Sequence, residues 1–335
     1  MGESLVETPP LPERPRLKPW YRHSVEENGV VLRYGGSVLE LNGAAATRLL
    51  PTLLPLLNGM RRIDEIVACL GEPIRPAVEH ALTVLHEQRL LIEATPRDLD
   101  PGAGRAAELL AATDPLDRGA AAAAARLGRS RVVLLGGAPV ADVVATLLSE
   151  SGVPAVNRGG WDDPHRADLV IAVPSDDELP LVRTWNERAL AEGTPWLQLL
   201  PFDGLIAAVG PLFVPGDTAC HECYLLRRAA NLSSRPYRPT CIEQGAFPGS
   251  PALDAVLAGL AATAVLRWLA LADGLLPGLV VAVEQVPEPA VSRHVLYRVP
   301  RCPACSGGRG RATIAPWHEA PQHEATRHEA TDVTA

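Results

Sequence analysis

Two Cys-x-x-Cys turns, Cys220-His221-Glu222-Cys223 and Cys302-Pro303-Ala304-Cys305, carry the clearest chemistry in this sequence. Two residues between cysteines let one tight turn aim two thiolates at one metal. Two such turns complete a closed tetrahedral sulfur site, the preference of structural zinc. A closed site keeps no position for water, so an ion held by Cys220, Cys223, Cys302 and Cys305 would fasten the fold rather than catalyse. A redox disulfide and an iron–sulfur cluster use the same residue types and stay open as alternatives. Each turn follows a strand-like apolar run, Leu212–Asp217 before the first and His294–Val299 before the second, and the intervening chain must bring the two together.

Other candidate chemistry is thin. A nucleotide loop needs glycines where backbone approaches phosphate, then an acid at the end of the following strand. Gly136-Gly137-Ala138-Pro139-Val140 lacks a third glycine, and Pro139 removes an N–H; the strand ending at Val156 is followed by Asn157. Asp162 and Asp163 stand further on, where Asp-Asp-Pro reads first as a turn. Gly136 and Gly137 are therefore expected to form a degenerate nucleotide loop that binds no ATP. Cys241 has no identifiable partner base. The tail repeats His-Glu-Ala at His318, His323 and His328, a period that matches neither helix nor strand and reads as disorder. No catalytic residue stands out.

The elements that must position these groups begin with composition. The chain has 335 residues, 47% hydrophobic and 21% charged, which suits two globular domains with cores of Leu, Val and Ala. A net charge of −8 argues against nucleic-acid binding. Cys69 and Cys241, outside the two turns, read as unpaired thiols in a reducing cytosol. The start, Met1-Gly2-Glu3-Ser4, shows no signal pattern, and the apolar run Pro251–Ala272, broken by Asp254 and Arg267, reads as a buried helix rather than a membrane span. A cytoplasmic location without a membrane partner is expected.

Residues 1–17 read as a loose arm. Gly29–Tyr34 and Ser37–Leu41, joined by Gly35-Gly36, predict a β-hairpin. Asn42 is a candidate helix cap. Ala46, Leu49, Leu50, Leu53, Leu54 and Leu57 follow at helical spacing, with a break expected at Pro51 and Pro55. Helices over Ile63–Leu70 and from Pro76, then a strand over Arg89–Glu93, complete a small winged helix-turn-helix over 18–94. Glu79, His80, His86 and Glu87 on the third helix disfavour DNA reading. Another use of such a module is strand addition: a peptide pairs with the edge Ser37-Val38-Leu39-Glu40-Leu41 and sinks side chains toward Val78, Ala81, Leu82 and Leu85, with Arg75 and Arg89 as rim charges. The plainer alternative is a module that only packs on its neighbour. Residues 95–129 read as a linker with a helical patch. Strands over Arg131–Leu135, Val153–Val156, Asp168–Val173 and Trp196–Leu200 alternate with helices over Val140–Ser151 and Leu179–Glu192, which predicts a parallel α/β sheet. Leu205–Val209 and Leu212–Val214 read as an antiparallel pair that delivers Cys220.

The order of parts then becomes recognisable. A strand–glycine–helix Rossmann-like core, Pro215-Gly216-Asp217-Thr218-Ala219-Cys220-His221-Glu222-Cys223, a long Ala/Leu helix and Cys302-Pro303-Ala304-Cys305 resemble the ThiF/MoeB-type family, relatives of ubiquitin-activating enzymes, over 130–306. Residues 18–94 resemble the PqqD-like RiPP recognition element, which grips leader peptides. Together, with Cys220 through Arg228 especially similar, they resemble the leader-binding partner proteins of YcaO-type cyclodehydratases, which make thiazoles and oxazoles. The resemblance implies structural zinc, a precursor-peptide leader and a separate YcaO-type cyclodehydratase as partners, and a non-catalytic scaffold role; a homodimer is left open. Between Val156 and Asp168 the chain is too short for the Arg- and Lys-bearing triphosphate segment of adenylating relatives. An active ATP-dependent adenylyl- or sulfur-transferase and a winged-helix transcriptional regulator are the competing readings. Residues 307–335 are expected to be a disordered tail.

Overall fold

The structure is a computed structural model that describes residues 10–95, 99–114, 116, 118–163, 166–231, 250–285 and 288–306; Cys241 and the His-Glu-Ala repeats lie outside them. The amino-terminal part begins with β1 (Pro15–Leu17), β2 (Arg22–Glu26), β3 (Gly29–Tyr34) and β4 (Ser37–Asn42). β2, β3 and β4 form an antiparallel sheet in that order. Gly35, at φ 52°, makes the two-residue turn between β3 and β4. Alternation puts Val30, Leu32, Leu39 and Leu41 on one face, and helices cover it.

Prolines divide the first stretch of those helices into short pieces. α1 (Ala44–Arg48) gives way to α2 (Leu50–Leu53), then to a 3₁₀ turn over Leu54–Leu56, and Pro51 and Pro55 sit in first turns where no N–H is needed. The expected break is there. α3 (Ile63–Leu70) and α4 (Arg75–Glu87) follow, and β5 (Leu91–Glu93) pairs antiparallel with β1. Two expectations need correction, and one strand was not expected. Asn42 ends β4, and Gly43 occupies the cap position of α1. The arm is not loose throughout, since Pro15–Leu17 is a strand and the Glu93 carboxylate accepts the Arg14 N–H at 3.0 Å. β2 had no clear signal, because Arg22-His23-Ser24-Val25-Glu26 holds one apolar residue.

The expected linker is two helices, α5 (Pro101–Thr113) and α6 (Ala120–Leu127). Asp100 caps α5 by accepting the Gly102 N–H at 2.8 Å. Ala107, Leu110, Ala111, Ala120, Ala123 and Leu127 are buried in the core that also holds the sheet's helices, so this stretch is part of the α/β layer.

β6 (Arg131–Leu135), α7 (Val140–Glu150), β7 (Ala155–Gly159), β8 (Leu169–Ala172), α8 (Leu179–Glu192), β9 (Trp196–Leu200) and β10 (Ile206–Phe213) lead to α9 (His221–Asn231), α10 (Pro251–Leu271), β11 (Leu279–Glu284) and β12 (Ala290–Val295). The seven-stranded sheet runs β12-β11-β10-β9-β8-β6-β7, with β7, β6, β8 and β9 parallel and β10, β11 and β12 antiparallel. Val132 and Leu134 face the layer of α5, α6, α7 and α10; Val133 and Leu135 face α8 with Val182, Trp185 and Ala189. The strand expected at Val153–Val156 starts two residues later. The expected pair Leu205–Val209 and Leu212–Val214 is one strand, β10, whose register shifts between Val209 and Leu212 across the cis Gly210–Pro211 bond. Among the described residues α10 alone is long and apolar enough to cross a membrane; here it packs on α6, α7 and β10 with Leu257, Ala258, Ala261, Ala262 and Val265 in the core.

Candidate metal centre and open strand edge

The first Cys turn is delivered by β10. After Phe213 the chain reverses through Val214–Thr218, where Val214 N–H donates to Thr218 Oγ1 at 2.9 Å, and α9 starts at His221. Cys220 sits just ahead of α9 and Cys223 in its first turn. The second turn follows β12. The four Sγ atoms lie within 4.8 Å of one another, with Cys220–Cys223 at 3.9 Å, Cys220–Cys302 at 3.7 Å and Cys223–Cys305 at 3.6 Å. A tetrahedron with zinc–sulfur bonds of about 2.3 Å has sulfur edges of about 3.8 Å, so the donor set fits one ion. Cys220, Cys223 and Cys302 are buried and Cys305 is half-exposed. Burial pushes the Cys220 thiol far up and the Cys305 thiol to about 11. Burial acts the same way on Cys223 but is outweighed by hydrogen bonds, chiefly the Val299 N–H at 3.3 Å, and its thiol lies below the ordinary value. As thiolates the four would repel one another at this distance, and a coordinated metal would supply the offsetting charge.

Polar groups that sequence reading did not single out hold the first turn in place. His221 N–H donates to Asn186 Oδ1 and His221 Nδ1 bonds Gln198 Oε1, both at 2.9 Å, with all three residues buried. Burial, then the nearby Arg183 charge, lowers the His221 pKa to about 4, so the ring is neutral at pH 7. Arg183 forks onto Glu222 with two bonds of 3.0 Å. These partners come from α8 and β9 and have no sequence spacing that marks them.

The glycine loop stands at the carboxyl end of β6. Gly136 has φ 102°, and a Cβ there would meet Val173 O at 2.2 Å, so the neighbouring chain alone requires a glycine. Gly137 N–H donates at 2.7 Å to Glu178 Oε2, which also accepts the Ser175 N–H at 2.9 Å and the Ser175 hydroxyl at 2.8 Å. Trp161 Nε1–H donates to Glu178 Oε1 at 3.1 Å. Burial disfavours the charge, but these donors outweigh it and bring the Glu178 pKa to about 2. Asn157 lies within β7, and Asp163 accepts the Gly160 N–H at 2.9 Å, as a turn residue does.

Among the described residues β4 has one partner, β3, and its other side is an edge. The Gly43 N–H to Asn28 O bond, at 3.2 Å, sets the phase of the ladder. Leu41, Leu39 and Ser37 turn their backbone toward β3, so Val38 and Glu40 turn theirs outward. Leu39 and Leu41 are half-buried, and Val38 is 59% exposed. The expected groove residues are corrected in part. Val78, Leu82 and Leu85 are at most 1% exposed and belong to the core, whereas Ala81 is half-buried at the surface. The rim charges are also engaged: Arg75 bonds Glu72 and Asp64, and Arg89 Nη2 donates to Asp114 O at 3.3 Å.

No protein-family model and no curated protein matches the chain. Solved structures do. A heterocyclase in complex with substrate and cofactor superposes with a TM-score of 0.67 at 24% identity, covering 87% of this chain and 39% of that one. The heterocyclase TruD gives 0.65 at 22% identity, covering 88% of this chain and 43% of that one. E. coli MccB with AMPCPP and MccA gives 0.60 at 15% identity, covering 87% of this chain and 99% of that one. This chain thus spans about two fifths of the two heterocyclases. At these identities the likeness is one of fold: a mixed α/β chain with a seven-stranded, partly parallel sheet and four clustered cysteines shares its architecture with heterocyclases and MccB.

Proposed function

We propose that this chain is the leader-recognition and scaffold component of a thiazole- or oxazole-forming cyclodehydratase. The observation that carries the reading is the open edge of β4, where Val38 and Glu40 present backbone with no partner among the described residues, above half-buried Leu39 and Leu41. A leader segment would add to β4 as a further strand, pairing main chain with main chain and seating alternate apolar side chains beside Leu39, Leu41 and Ala81. On this reading residues 18–94 act as a winged-helix recognition element and 130–306 as a degenerate ThiF-like domain. Cys220, Cys223, Cys302 and Cys305 would hold one structural zinc, which joins β10 to the segment after β12 and supplies rigidity. A cytoplasmic YcaO-type partner would activate the peptide amide, while tethering raises the local concentration of the core Cys, Ser or Thr residues.

The shared fold with a heterocyclase bound to substrate supports this reading over a regulator. The fold shared with E. coli MccB in complex with ATP keeps an adenylating enzyme as the second reading. ATP-dependent pyrophosphate release in the presence of a precursor peptide separates the two: none is expected from this chain alone.

A further inference from the structure

In an open α/β sheet, ligands bind at the carboxyl ends of the strands where the strand order reverses. Here the parallel strands run β9-β8-β6-β7, so the reversal falls between β6 and β8, and the loops that flank it carry Gly137 and Glu178. Backbone N–H groups at such a place attract phosphate. They are taken by the protein itself. The Glu178 carboxylate lies across the crevice and accepts four bonds, from Gly137 N–H, Ser175 N–H, Ser175 Oγ–H and Trp161 Nε1–H. Gly137, Ser175 and Trp161 come from three different loops, so the anion also ties the crevice shut.

We infer that Glu178 is a resident anion standing where a phosphate would bind, and that it excludes phosphate-bearing ligands from this sheet. A nucleotide arriving at Gly137 would find the N–H already bonded and a negative charge in its place. The inference deepens the non-nucleotide part of the proposed function, giving it one residue and a physical cause. The missing glycine and the short segment after Val156 remove favourable contacts; Glu178 adds an unfavourable one. Emptying the cage should therefore restore affinity for a small anion, even though the rest of a nucleotide site is lacking.

The test is a calorimetric titration of the full chain with inorganic phosphate and with ATP, for wild type, Glu178→Ala and Glu178→Ala with Ser175→Ala. Wild type should bind neither. Glu178→Ala should bind inorganic phosphate in the millimolar range, and removing the Ser175 hydroxyl should weaken that binding roughly tenfold. Glu178→Ser, which keeps a small hydroxyl beside Ser175, carries the same expectation if the alanine variant does not fold. A folded Glu178→Ala chain without phosphate affinity overturns the inference, as does ATP binding by the wild type. Failure of both single variants to fold would make Glu178 a staple of three loops and likewise overturn it. Leader binding, measured on the same proteins, should be unchanged, so a failure here is distinguishable from a failure of the peptide reading.

Discussion

Arg227 Nη2 donates to the carbonyl oxygen of Arg298 at 3.0 Å, and its Nε donates to Tyr297 O at 2.7 Å. Arg298 in turn donates to Thr218 O at 2.9 Å and to Gly216 O. The two guanidinium groups therefore lace together the segments that carry the two Cys turns, without any metal taking part.

That lacing sets what metal removal should do. The protein is expected to purify with about one equivalent of zinc, because binding to four thiolates is coupled to folding. Cys302→Ser should lower stability by several kcal/mol. Metal analysis with thermal unfolding checks both; a metal-free chain of unchanged stability would exclude the zinc assignment.

The arginine ties should matter less. Arg227 is exposed, and Arg227→Ala is expected to cost about 1 kcal/mol while zinc is retained. Release of zinc to a chelator should become faster, since the second turn loses an anchor. Unchanged release kinetics would mean that the sulfur–metal bonds alone hold the turns together.

Much of this arrangement was legible in the sequence, for identifiable reasons. Ile63–Leu70 and Leu179–Glu192 occur with the expected bounds because a glycine, Gly71 or Gly193, ends each, and Trp196–Leu200 does so as a short apolar run between Pro195 and Pro201. The Cys spacing announced a cluster, and the four sulfurs meet. The helices over 101–113 and 120–127 read only as a helical patch in a linker because their buried stripe is mostly alanine, which carries little hydrophobic contrast. Gly210-Pro211 imitates a turn, yet it lies inside a continuous strand. Glu178 and Gly137 are 41 residues apart, and Asn186 and His221 are 35 apart; such partners follow only from the fold.

Burial of Leu82 turns one natural probe of the peptide groove into a stability variant. Leu82→Ala should cost about 2–5 kcal/mol, and a charge at this position should unfold the amino-terminal module. Ala81→Glu places its side chain at the surface instead. It is expected to weaken leader binding with little change in the unfolding midpoint; equal loss of both would argue against a groove beside Ala81.

Glu178 gives a pH dependence of defined sign. Its pKa is lowered in the folded chain to about 2, so its stabilising contribution is complete above the usual carboxylate range near 4.5 and is lost as pH falls toward 2. The stability difference between wild type and Glu178→Gln should therefore shrink across that interval and be constant above pH 5. Unfolding curves of both proteins at stepped pH check this. A difference that grows on acidification would contradict the ionised cage.

Strand addition on β4 is tested most directly by titrating the full chain with the leader of a precursor peptide encoded beside it. Wild type should be compared with Val38→Pro, Glu40→Pro and Leu39→Pro. The N–H groups of Val38 and Glu40 face outward, so proline there should leave the protein folded but lower leader affinity at least about tenfold for the lost pairing. Leu39 donates toward β3, and proline there should instead destabilise the sheet. Saturable binding by wild type with selective loss at Val38 and Glu40 is the expected result; no binding by wild type, or undiminished binding by both outward-facing proline variants, would contradict it.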